Sequence, residues 1–139
     1  MQKSSQKAQA AMEYLMTIGF ALLILLGLTV FAYNYTLSAR QSAVVSTASA
    51  SVNNIVESAN LVHSQGYPAK ATLVIQIPEN VESINFNNNT LVMSVLIVKR
   101  KTDVTATAKT KLVGNLSTVR GFYKVTIQSF GNYVNVTRT

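Results

Sequence analysis

Apolar residues are arranged in three successive patterns along the chain. From Tyr14 to Tyr33, twenty residues run without a charge and are mainly apolar. As a helix rising about 1.5 Å per residue they span about 30 Å, the thickness of a bilayer core. Beyond Arg40 the apolar residues thin to a stripe. Val44, Val45, Ala48, Val52, Ile55, Val56, Ala59 and Val62 recur at spacings of one, three or four, the mark of a single helix face. Ser42, Ser46, Ser49, Asn53, Glu57 and Asn60 take the other faces. Gly66 followed by Pro68 is a stop signal. The pattern predicts one helix from about Gln9 to Gln65, roughly 80 Å long. Its first half is apolar all round, and its second half must lie on something.

After Pro68 the period changes to alternation. "ATLVIQI" sets Leu73, Ile75 and Ile77 on one face, and "TLVMSVLIV" is apolar on both, as a central strand would be. "DVTATAK" alternates Val104, Ala106 and Ala108 with threonines. "FYKVTIQSF" and "YVNVT" flank Gly131-Asn132, a two-residue hairpin turn. Pro78-Glu79-Asn80 and Asn87-Asn88-Asn89 also read as turns. The expected fold class is therefore α+β: a long N-terminal helix packed on a small antiparallel sheet of five or six strands. A sheet of that size buries too little alone, and the stripe from Val44 to Val62 is its natural cover.

Composition narrows the function classes. With 139 residues there is room for one modest domain and an accessory element. The absence of cysteine excludes disulfides, thiolate metal sites and a lipid-anchored cysteine. The formal charge of +7 points to an acidic partner, but the positives are scattered apart from Lys99, Arg100 and Lys101. A solvated turn is the ordinary reading of that triplet, and no specific nucleic acid is expected.

The residues of catalysis are sparse. His63, the one histidine, stands near a helix end without a neighbouring acid and reads as a surface residue. Glu13, Glu57, Glu79, Glu82 and Asp103 form no metal-ligand spacing, and no glycine-rich phosphate loop occurs. No enzyme and no cofactor are expected. Tyr33 and Tyr35 suit an interfacial aromatic belt. Four Asn-x-Ser/Thr acceptor triplets begin at Asn34, Asn88, Asn115 and Asn135. Asn88, in a turn, is the best placed, while Asn34 lies close to the apolar segment.

Lys3 and Lys7 precede the apolar run, with no acid before Glu13. The positive-inside rule puts the N-terminus in the cytoplasm and everything past Arg40 outside. A carboxylate at the cytoplasmic lip gains a little from the helix dipole. Drawn into an apolar bundle it costs about 2.5–3.5 kcal/mol unless paired. Cleavage before Gln9 would supply a partner, a free α-amino group four residues ahead of Glu13.

Here "KAQAAMEYLM" resembles the class III signal peptide of archaeal type IV pilins. That family joins a short basic leader to a small residue, then a glutamine, and a glutamate four positions later at the head of an apolar helix. Lys7, Ala8, Gln9, Glu13, Tyr14 and Leu15 match, with Ala8 where glycine is commoner. The resemblance covers about residues 3–35 by motif and the remainder by architecture. It implies a leader over 1–8, cut between Ala8 and Gln9 by a prepilin peptidase. It implies a helix over 9–65, of which 14–35 spans the membrane or forms a filament core, and an extracellular β head over 70–139. It further implies assembly into a helical homopolymer at the cell surface by a membrane platform and its cytoplasmic ATPase. Gln9 and Glu13 would then set the register through a neighbour's new N-terminus, and the acceptor asparagines would meet glycosylation machinery. The competing expectations are a monomeric membrane-anchored binding domain, an archaellum-type filament subunit, and a secreted protein cut after Ala39 or Ala50.

Overall fold

The computed structural model describes residues 2–98 and 100–139, with side chains from Gln6 onward. The chain divides into two compact units, Met1–Arg40 and Gln41–Thr139. One helix, α1 (Gln2–Gln65), supplies all the described structure of the first and the opening element of the second. The expected start at Gln9 is corrected: the helix runs back through residues 2–8, as far as Gln2. Lys7, Ala8, Gln9, Ala10 and Ala11 are good helix formers and nothing among them breaks the ladder. It ends where expected. Gly66 adopts a left-handed φ of 78°, and its N–H donates to the His63 carbonyl at 3.1 Å, closing the last turn.

In the first unit the helix from Tyr14 to Tyr35 is exposed throughout and is long and apolar enough to cross a membrane. The threonine hydroxyls of this stretch are satisfied internally. Thr17, Thr29 and Thr36 each donate to the carbonyl four residues back, at 2.8 Å. A helix that closes its own polar groups in this way tolerates a dry environment.

The second unit is α+β. Its strands are β1 (Lys70–Ile77), β2 (Val81–Asn87), β3 (Thr90–Ile97), β4 (Arg100–Thr107), β5 (Lys111–Asn115), β6 (Gly121–Ser129) and β7 (Tyr133–Arg138). They form a four-stranded sheet in the order β1-β6-β7-β5 and a three-stranded sheet β2-β3-β4. The expected single sheet of five or six strands thus becomes seven strands in two sheets. All pairings are antiparallel except β5 with β7, which is parallel. Two strands had no clear sequence signal. In β2 the register slips between Val81 and Ser83, a bulge that breaks the alternation of Val81, Ile84 and Phe86. β5 is five residues long and contains Gly114, so it has little period to read. The sheets are stitched together where the Leu112 N–H donates to the Asn88 carbonyl at 2.6 Å.

The apolar stripe lies where its period demands. Ala48, Val52, Ile55, Val56, Ala59 and Val62 are buried in one core with residues of both sheets, among them Ile75, Ile127 and Val136 from the first and Leu91, Met93 and Val95 from the second. Two polar contacts fix the helix against this core. Ser51 Oγ donates to the Gln76 carbonyl at 2.6 Å, and the Lys109 N–H donates to Asn60 Oδ1 at 2.8 Å. β3 is the central strand expected of "TLVMSVLIV". The β6–β7 hairpin closes over Gly131 and Asn132, with Gly131 at φ 85° and the Phe130 N–H donating to the Tyr133 carbonyl at 2.9 Å. Between β3 and β4 the chain passes through Val98 and Lys99. Of the basic triplet Lys99-Arg100-Lys101, Lys99 lies outside the described residues.

A Cβ built on Gly114 would run into the Val136 carbonyl, its partner across the parallel pair. Gly114→Ala should therefore destabilise the head by roughly 1–3 kcal/mol, the usual cost of overpacking. Ile55→Ala should cost about 2–5 kcal/mol by opening a cavity under both sheets. Urea unfolding followed by circular dichroism, on the full chain in detergent micelles, measures both. An unchanged midpoint for either would contradict the packing described.

Candidate functional site: the N-terminal segment

Lys7, Ala8 and Gln9 share one turn of α1 and Glu13 lies on the next, and all four are exposed. Helical geometry stacks Gln9 and Glu13 on one face, and the Gln9 side-chain amide donates to Glu13 Oε1 at 3.5 Å. The two positions singled out in the sequence are thus brought together within one chain, at the far limit of a hydrogen bond. The Glu13 carbonyl accepts from Thr17 Oγ1 at 2.8 Å, while the carboxylate has no cationic partner among the described residues. The ion pairs found there lie elsewhere, Lys101 with Glu82 at 3.3 Å and Arg120 with Glu79 at 3.4 Å. An exposed carboxylate at the mouth of an apolar helix, held by one long amide contact, is free to accept a cation from outside the chain. Among the described residues no group of three His, Cys, Asp or Glu could hold a metal ion.

The four acceptor asparagines have four different settings. Asn34 is exposed but helical, and the hydroxyl of its triplet, on Thr36, is committed to the Ala32 carbonyl at 2.8 Å. Asn88 is exposed in the β2–β3 turn at φ 55°, the left-handed conformation asparagine tolerates. Asn115 is exposed at the end of β5. Asn135 is half-buried in β7, paired with β5 on one side and β6 on the other. His63 departs from the expected surface residue. It is half-buried, and its Nδ1 is enclosed without a hydrogen-bond partner among the described residues.

Sequence reasoning passed over one feature. Tyr67 and Phe130 lie at 6.2 Å between ring centroids, and Phe130 stacks on Tyr133 at 5.2 Å with 9° between planes. The three rings come from the segment after α1 and from the β6–β7 turn. The available signal was strand parity, which places Phe130 on the same side as Phe122 and Lys124. In the first unit Phe31 and Tyr35 stack at 6.4 Å one helical turn apart, at the end of the apolar run where an aromatic belt was expected.

No known protein family, curated protein or solved structure matches the chain. The arrangement of its own residues therefore carries the functional reading. If the chain is glycosylated, Asn88 should be occupied ahead of Asn34 and Asn135, because its acceptor side chain is exposed in a turn while Asn34 is helical and Asn135 half-buried. Glycopeptide mapping that found Asn34 or Asn135 modified and Asn88 bare would overturn this ranking.

Proposed function

We propose that the chain is a structural subunit of an archaeal type IV-like pilus, made as a membrane-inserted precursor and polymerised through its apolar helix into a cell-surface filament. The observation that carries the reading is the sequence Lys7-Ala8-Gln9 with Glu13, set in α1 immediately ahead of a stretch whose apolar surface is exposed from Tyr14 to Tyr35. That much apolar surface requires lipid or a bundle of like helices around it. A prepilin peptidase cuts between Ala8 and Gln9, which requires the helix to open locally at that bond. Release of residues 1–8 leaves a cationic amine on Gln9. Glu13 pairs with the amine of a neighbouring subunit as the helices leave the membrane, and the pair sets the register of the polymer. A membrane platform and its cytoplasmic ATPase drive that transfer, and adhesion is the filament's most natural task.

A monomeric membrane-anchored binding domain is the second reading. It is favoured by the Gln41–Thr139 unit, in which one helix and both sheets share a buried core. The residue at the mature N-terminus separates the two. Sequencing protein isolated from cells should find Gln9; Met1 would mean an uncleaved anchor, and Arg40 or Ser51 a secreted form. Ala8→Leu should leave the leader in place by crowding a small-residue site.

Glu13→Gln addresses the register pair. A carboxylate that only complements the helix dipole is worth about 0.3–1 kcal/mol, and filaments would survive its loss. Breaking a buried ion pair costs roughly 3–5 kcal/mol, about several hundredfold in each addition step at 1.4 kcal/mol per decade. The variant should be cleaved normally and accumulate in the membrane while filaments disappear from electron micrographs. Abundant filaments from Glu13→Gln would refute the pairing.

A further inference from the structure

The outward face of the four-stranded sheet carries no acid. Strand alternation puts Lys70, Lys124 and Lys111 on this side of β1, β6 and β5, all exposed. The acids of the same unit lie elsewhere: Glu57 on the helix, Glu82 and Asp103 on the other sheet, and Glu79 past the end of β1, where it pairs with Arg120. At the opposite end of the face stand the three rings. Tyr67 is 68% exposed, Phe130 40% and Tyr133 37%. The register lines up a row across the strands at this end. Lys111 on β5 sits opposite Tyr133 on β7, Phe130 closes the hairpin opposite Tyr133, and Lys70 on β1 is diagonal to Phe130. Two lysines thus bracket a stacked aromatic pair, three strand spacings or about 14 Å apart.

We propose that this face binds an anionic polysaccharide, a polymer of sugar rings bearing carboxylates. The negative face of an aromatic ring attracts the C–H face of a sugar, and each flanking lysine meets a carboxylate as a point charge. Between the rings and the far end the face offers threonine hydroxyls and the amides of Gln128 and Asn135, partners for sugar hydroxyls. A single-stranded nucleic acid fits less well. The next ring on this face of β6 is Phe122, eight positions from Phe130, about 26 Å away. Successive bases would find nothing to stack on. No arginine faces outward from the middle of the sheet to grip phosphates in two-point fashion. The site belongs to the head, and it serves a tethered monomer as well as a filament subunit, so its test is independent of polymerisation.

The test titrates the full chain, made without glycans because Asn115 and Asn135 share this face, in detergent micelles against alginate, dextran and oligothymidylate. Alginate should bind and release with added salt, and dextran should not bind. The double variant Lys70→Gln/Lys111→Gln should bind alginate about tenfold more weakly through the loss of two exposed ion pairs. Tyr67→Ala, whose side chain lies outside the core, should bind about fivefold more weakly. Lys101→Gln on the other sheet should stay within about twofold. No affinity for alginate would overturn the proposal. So would tighter binding of oligothymidylate, or a loss in Lys101→Gln equal to that of the double variant, which would mean net charge alone is read.

Discussion

Everything in the head depends on the burial of one helical stripe. Ala48, Val52, Ile55, Val56, Ala59 and Val62 are buried in one core with the inner residues of both sheets. A three-stranded and a four-stranded sheet are each too small to stand without a packed face. The helix supplies that face to both, and the two meet at the bond between Leu112 and Asn88. The polar contacts of Ser51 and Asn60 then remove the freedom of the helix to slide or turn under the strands. Small residues at Ala48 and Ala59 let it approach closely.

The same helix carries an opposite demand in its first half, where the apolar surface goes all round and is exposed from Tyr14 to Tyr35. One continuous hydrogen-bonded ladder therefore joins an exposed apolar half to an amphipathic half with a buried stripe. The back-bonded hydroxyls of Thr17, Thr29 and Thr36 are what a dry environment requires. Glu13 stands at the head of that apolar stretch, exposed and with no cation beside it among the described residues.

Charge is sorted across the head. Nine of the twelve lysines and arginines follow Arg40, and the register gathers three of the lysines on one acid-free sheet face while two of the acids are paired off elsewhere. In the linear sequence these lysines looked scattered. Folding gives them a common plane, and the Gly131 turn brings rings to its edge.

The period of the apolar residues was sufficient to read the helix, its end at Gly66, the buried stripe, the central place of β3 and the β6–β7 hairpin, because each rests on local geometry that a few residues dictate. The approach of Gln9 to Glu13 was likewise legible, since four residues make one turn. The other elements needed the tertiary structure. β5 is a strand because β7 offers it a parallel edge, and Gly114 is required there because the Val136 carbonyl passes close by. β2 hides behind a bulge that only its pairing with β3 exposes. The division into two sheets, the half-burial of Asn135 and His63, and the meeting of Tyr67, Phe130 and Tyr133 with Lys70 and Lys111 join residues dozens of positions apart. Sequence periodicity reports which face of an element is apolar; which elements then share a face is decided by long-range pairing.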